Sequence, residues 1–225
     1  LELASARQDV GSALLNNDEY AAAVDFFRLA QEAFEKQVAP DNSNLLGVRN
    51  NAALALHNMG ELRAAEAEYA EIGALWLARY GRNKGYGDLL QNRAVLVRDL
   101  GSPRESVALS REAHDVYAEE LGDHYLTALP LLSIAGAELD WGRPEEALEA
   151  STEAHRLLVE TLGVEHWITS VALCRRGRAR LRLGDRPGGV GDLSDAHSVL
   201  EDAEGVTPDY RSECLDAHQE AQRSG

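Results

Sequence analysis

Long apolar runs are missing from this 225-residue chain: none approaches the ~18 consecutive apolar residues that a membrane-crossing helix needs. Cysteine is almost missing. Cys174 and Cys214 stand without metal-ligand or redox spacing, so no disulfide framework is expected, and a reducing compartment, the cytoplasm, is the default. Aromatics make up only 6%, against abundant alanine and leucine, which suits helices packed with close backbone approach. Positive charge is scarce: 22 Lys and Arg face 38 Asp and Glu, a net charge of −16. Such a surface repels phosphate backbones and anionic lipid heads, so nucleic acid and membranes are excluded as partners of the whole surface. The acidity then serves solubility. No phosphate-cradling glycine loop, HExxH, nucleophile elbow or CxxC pair occurs, so neither catalytic residues nor a cofactor is expected.

What is present is a repeat. Turns of the glycine type stand at Asp18, Gly60, Gly101, Gly142 and Gly184, spaced by 41 or 42 residues. Five residues after each stands a small residue: Ala23, Ala65, Ser106, Ala147 and Gly189. Seven residues before each stands another: Gly11, Ala53, Ala94, Ala135 and Gly177. A period of this length marks stacked helical repeats, which work by offering a surface. A 44% hydrophobic content is enough for a core and fits one elongated domain over 1–225. Its repeats are expected at about 3–41, 43–82, 84–123, 125–164 and 166–206, with a cap at 207–225. The chain begins at Leu1 rather than Met, inside a helical pattern, and shows no signal peptide, so a fragment of a longer protein is expected.

Apolar periodicity predicts helices near 3–17, 19–38, 43–59, 61–80, 86–100, 103–121, 125–141, 144–162, 166–183 and 187–203, and a capping helix at 208–222. Pro103 and Pro144 follow their turns directly, where a missing N–H has no partner to lose. Pro130 falls inside a helical span and predicts a late start or a kink. The small residues mark helix crossings, where axes approach to the short end of ~8–10 Å. In the fifth unit Arg186, Gly188 and Gly189 replace better helix formers, predicting a looser second helix.

The order small–x6–Gly–x–aromatic/Leu–x2–Ala–x3–aromatic resembles the tetratricopeptide repeat. Ala53, Gly60, Leu62, Ala65 and Tyr69 show it best. The unit exceeds the usual 34 residues. That length, with Asn50–Asn51 opening a helix and the closing stretches Leu121–Thr127 and Leu162–Thr169, is similar to the kinesin-light-chain type, which bacterial regulators also carry. The resemblance implies an all-α, right-handed superhelical solenoid of five helix-turn-helix repeats plus the capping helix. It places first helices on a concave face that holds peptides or protein segments.

By that geometry Gln8, Ser12 and Asn16, then Asn50, Asn51, His57 and Asn58, then Gln91, Asn92, Arg98 and Asp99 belong to the groove. Amides both donate and accept, so a row of them can pair with an extended backbone without demanding its sequence; the alternative is that some fix helix starts. Arg175, Arg178 and Arg182 share a helix face within a basic stripe that continues to Arg186. Such arginines either take a partner's acidic side chain or C-terminal carboxylate, or pair with Asp140, Asp185, Asp192 and Asp195. Carboxylates such as Glu66, Glu68, Glu71, Glu145, Glu146 and Glu149 read as a solvated outer face. His114, His155 and His197 occupy one repeat position and His124 and His166 another, on the order of 10 Å apart, too far to share a metal at ~2 Å.

These readings point to a non-enzymatic protein- or peptide-binding scaffold, the interaction domain of a larger bacterial regulatory protein. The partner segment would lie along the amide row with its acidic end toward the arginines. A sensor for a small molecule or signalling peptide, or an accessory domain positioning an enzyme's substrate, are the alternatives.

Overall fold

The computed structural model describes residues 1–206 and 208–223. Among these, every regular element is a helix. The chain divides into two compact units, Leu1–Gly101 and Ser102–Gly225, the boundary falling at the third turn. The first unit holds α1 (Glu2–Asn16), α2 (Tyr20–Glu35), α3 (Ser43–Asn58), α4 (Leu62–Tyr80) and α5 (Lys84–Asp99). The second holds α6 (Pro103–Leu121), α7 (Tyr125–Trp141), α8 (Pro144–Leu162), α9 (Trp167–Arg182), α10 (Arg186–Leu200) and α11 (Pro208–Arg223). From α1 to α10, odd-numbered helices are the first of each repeat and even-numbered ones the second.

Local chemistry sets the ends. Asp18 makes the first turn with φ of 61°, a conformation that a short polar side chain tolerates better than most. Gly142 takes the left-handed cap at the end of α7, its N–H reaching the Leu139 carbonyl. Pro103 and Pro144 open α6 and α8. Pro130 corrects the expectation of a late start: α7 begins at Tyr125 and runs through it, with the proline ring buried.

Aromatic and branched side chains fill the space between helices. Phe27 and Phe34 of α2 pack with Leu45 and Val48 of α3. Tyr69 and Ile72 of α4 pack with Leu46 of α3 and Leu96 of α5. In the second unit Leu157 and Leu158 of α8 meet Leu132 of α7 and Val171 of α9.

The small residues do what their spacing predicts. A Cβ added to Gly177 would stand 2.9 Å from the Gly189 carbonyl oxygen, and one on Gly189 2.9 Å from the Gly177 carbonyl oxygen. The backbones of α9 and α10 touch there, and only hydrogens fit between them. The fifth unit's glycines thus permit a close crossing, and α10 remains a continuous helix, capped by Asp185 through the Gly188 N–H at 3.1 Å.

Candidate binding face

The loops that precede the first helices carry a repeated device. His124 Nδ1 accepts the Leu126 N–H at 3.2 Å, and His166 Nδ1 accepts the Ile168 N–H at 3.2 Å. Each imidazole therefore caps the start of a first helix, α7 and α9. Three residues on, Thr127 and Thr169 donate their hydroxyls to the carbonyls of Gly122 and Gly163, both at 2.8 Å. These bonds tie a first helix to the end of the preceding second helix, and they give the two closing stretches a physical role.

In the first unit three amides of the expected row are bonded to one another. Asn92 of α5 donates to Asn50 Oδ1 of α3 at 3.2 Å, across one repeat. Asn50 in turn donates to Asn51 at 3.4 Å. All three are half-buried, as are Gln91 and Arg98. His57 Nε2 meets Asp99 Oδ2 at 2.7 Å, again one repeat apart, with the imidazole buried and the carboxylate open. Gln8 and Ser12 are half-buried on α1, Asn16 is exposed at its end, and Asn58 is exposed at the end of α3.

Several acids of the second helices are not simply solvated. Arg49 of α3, 8% exposed, clamps Glu68 at 2.8 Å and Glu71 at 2.9 Å on α4. Its guanidinium holds the Glu71 carboxyl below the usual carboxylate range. Arg93 of α5 clamps Glu66 at 2.7 Å, and Arg143 takes Glu146. The reading of an unengaged acidic face is corrected for these four: each is paired with an arginine.

In the second unit the arginine stripe is built into the packing. Arg175 is 1% exposed and reaches both ways, to α7 and to α11. Its Nη1 donates to the Leu132 carbonyl of α7 at 2.6 Å, and its Nη2 to Glu213 of α11 at 3.0 Å. The guanidinium also lies over the Tyr210 ring, 5.2 Å from its centroid. Burial opposes the charge most strongly, but Glu213, Tyr210 and Asp140 together hold Arg175 above its usual range. Arg178 shares Glu213. Arg182, exposed, donates to the Leu139 carbonyl of α7. Arg176 and Arg180 converge on the buried Asp192 of α10 at 2.7 and 2.9 Å. Asp192 is thus the local acid anticipated for the stripe. Glu213 is the one sequence reasoning missed, because it stood on a helix read only as a polar cap.

The cysteines correct their expectation outright. Cys174 of α9 and Cys214 of α11 form a disulfide, with Cα atoms 5.6 Å apart. They are 40 residues apart in sequence, close to one repeat, and that near-coincidence with the period was the available signal. With Glu213 beside it, the bond fixes α11 against α9.

The histidines at the shared repeat position meet different neighbours. His114 lies 3.6 Å from Asp115, His155 lies 3.5 Å from the Arg176 guanidinium, and His197 lies tilted against His218 with ring centroids 4.6 Å apart. Burial, then the Arg176 charge, hold the His155 imidazole below its usual range. Among the described residues no group of three or more His, Cys, Asp or Glu could hold a metal ion, and no helix is long and apolar enough to cross a membrane.

Residues 87–158 match the family model for the tetratricopeptide repeat. No curated protein sequence matches the chain. Solved structures share its fold at low identity. The nearly identical TPR-like repeats of a putative kinesin light chain from Podosopora anserina are 17% identical, with a TM-score of 0.72 over 89% of this chain and 96% of that one. BtubC (BKLC) from P. vanneervenii is 13% identical, with a TM-score of 0.67 over 98% of this chain and 84% of that one. A thermophilic TPR protein from Thermus thermophilus is 17% identical, with a TM-score of 0.63 over 95% of this chain and 98% of that one.

Proposed function

We propose that this chain, built of tetratricopeptide repeats of the kinesin-light-chain-like kind, is a non-enzymatic scaffold for protein or peptide segments and the interaction arm of a larger bacterial regulatory protein. Its working face is that of the first helices. The observation that carries the reading is the bond from Asn92 to Asn50 at 3.2 Å, between half-buried amides on consecutive first helices. An extended segment offers an N–H and a C=O at every residue other than proline. A row of amides that already bond to one another keeps its remaining donors and acceptors in fixed positions to meet them. Gln91 and Asn51 extend this row on the same two helices.

In the second unit the arginines suit carboxylates, as the pairing of Arg178 with Glu213 illustrates. Arg182 is the exposed member of the three arginines that share a face of α9, and the one we assign to a partner's acidic side chain or C-terminal carboxylate.

A displayed peptide library selected on the whole chain tests the proposal. Selected peptides should bind by calorimetry and weaken at least tenfold with Asn50→Ala combined with Asn92→Ala. Equal affinity for that variant overturns the assignment of the face.

A further inference from the structure

Glu138 of α7 is fully buried, yet neither carboxylate oxygen has a hydrogen-bond partner among the described residues. The nearest cations stand off: Arg111 at 3.6 Å and Arg143 at 3.7 Å. Arg143 is already committed to Glu146 and to the Trp141 ring, 4.7 Å from its centroid. Arg111 is 62% exposed and reaches in from solvent. Burial pushes the Glu138 carboxyl above the usual range, so its present surroundings do not satisfy its charge.

The repeat itself does not require a carboxylate there. Four residues before their turns, the first three units place Leu14, Leu56 and Val97 at the same position. A buried carboxylate without hydrogen bonds destabilises the fold, because it gives up its hydration and here receives only the longer ion pairs to Arg111 and Arg143 in return. An apolar residue would avoid that cost.

A cavity of about 440 Å³ opens beside it, between α6, α7 and α8. Its floor is Leu131 and Ile134 of α7, which share a helix face with Glu138 at spacings of seven and four residues. Arg111, whose guanidinium lies 3.6 Å from Glu138 Oε1, forms part of its wall. Acids dominate the remaining rim. Glu146 and Glu153 are bonded to arginines, whereas Glu149 is exposed. The cavity therefore combines an apolar floor and an acidic rim, and behind the Arg111 of its wall stands the Glu138 carboxylate.

We propose that this cavity is a second docking site, separate from the amide row of α3 and α5, for a partner-protein segment that pairs a basic side chain with an apolar neighbour. The cation completes the hydrogen bonding of Glu138, displacing Arg111 toward solvent, and the apolar neighbour covers Leu131 and Ile134. Glu149 supplies the complementary rim charge. A guanidinium is favoured because its fork can engage both carboxylate oxygens.

The test is calorimetry on the whole chain with an acetylated, amidated Ala-Leu-Arg-Leu-Ala peptide and its analogue with norleucine for arginine. The arginine peptide should bind and the analogue should not. Glu138→Leu should weaken binding at least tenfold while keeping or raising the melting temperature, because the fold takes leucine at this position in two other units. A merely structural Glu138 would instead lower the melting temperature. Glu138→Gln, of the same size, gives the same binding loss should the leucine variant fold poorly, and Glu149→Gln should weaken binding about threefold. Asn50→Ala with Asn92→Ala should leave this binding unchanged. No binding of the arginine peptide, or affinity unchanged in both Glu138 variants, overturns the site. Spermidine binding as tightly as the peptide would assign the cavity to a small polyamine and overturn the protein partner.

Discussion

Arg175 and Glu213 meet between α9 and α11 with Nη2 3.0 Å from Oε2, the arginine side chain 1% exposed and the glutamate 17%. Glu213 is also the counter-charge of Arg178, so one carboxylate is shared by two partly or fully buried guanidinium groups. Removing it strands both charges. Glu213→Ala is expected to lower stability by about 3–5 kcal/mol in urea unfolding, the range for breaking one side of a buried pair. Replacing both partners, as Arg175→Met with Glu213→Leu, should recover most of the loss.

The Cys174–Cys214 bond joins the same two helices across 40 residues of sequence. On chain-entropy grounds, closing a loop of this length contributes about 4 kcal/mol. Dithiothreitol should lower the melting temperature of the native protein and leave a Cys174→Ala, Cys214→Ala variant unchanged. Two reactive thiols in the denatured but unreduced protein would contradict the bond.

The contact between Gly177 and Gly189 leaves no room for a methyl group. Gly177→Ala forces α9 and α10 apart and should cost about 1–3 kcal/mol, although alanine is the better helix former. Ala135→Leu, at the equivalent and fully buried position of α7, should cost a similar amount. Unchanged thermal melts would show the crossings to be looser than described.

Acid should weaken the second unit through His155. Its folded-state value lies below the ordinary 6.5, from burial and then from Arg176. As pH falls, the unfolded chain takes up the proton first, which draws the equilibrium toward unfolding. The contribution is whole above about pH 6.5 and is lost as pH drops through 6.5 toward the lowered value. His218 acts in the same direction, by burial and then the His197 charge. The fall in melting temperature from about pH 7.5 to about pH 5.5, on either side of that ordinary value, should be smaller in His155→Gln.

Much of the fold is legible in the residues alone. Turn residues, helix-opening prolines and apolar spacing place the helices within a few residues of their observed ends, because these are local preferences of the backbone. The crossings are legible for the same reason: a small residue seven before and five after each turn marks where two backbones come together. The site is less legible. His124 and His166 stand out as repeated but not as helix caps, since that role depends on which ring nitrogen faces the N–H of Leu126 or Ile168. Glu138 passes unnoticed because one acid among 38 carries no mark of burial.

The repeat period alone established the helical hairpins and named which positions are neighbours one unit on, because similar units stack with a constant offset. It could not establish which neighbouring side chains reach one another. Asn50 with Asn92 and His57 with Asp99 follow the 42-residue offset, whereas Arg175 finds Glu213 and Cys174 finds Cys214 at 38 and 40. Those pairings arise from the particular way α11 lies on α9. Charge burial, disulfide bonding and the unsatisfied side of Glu138 are set by such distances, and distances between helices exist only in the packed molecule.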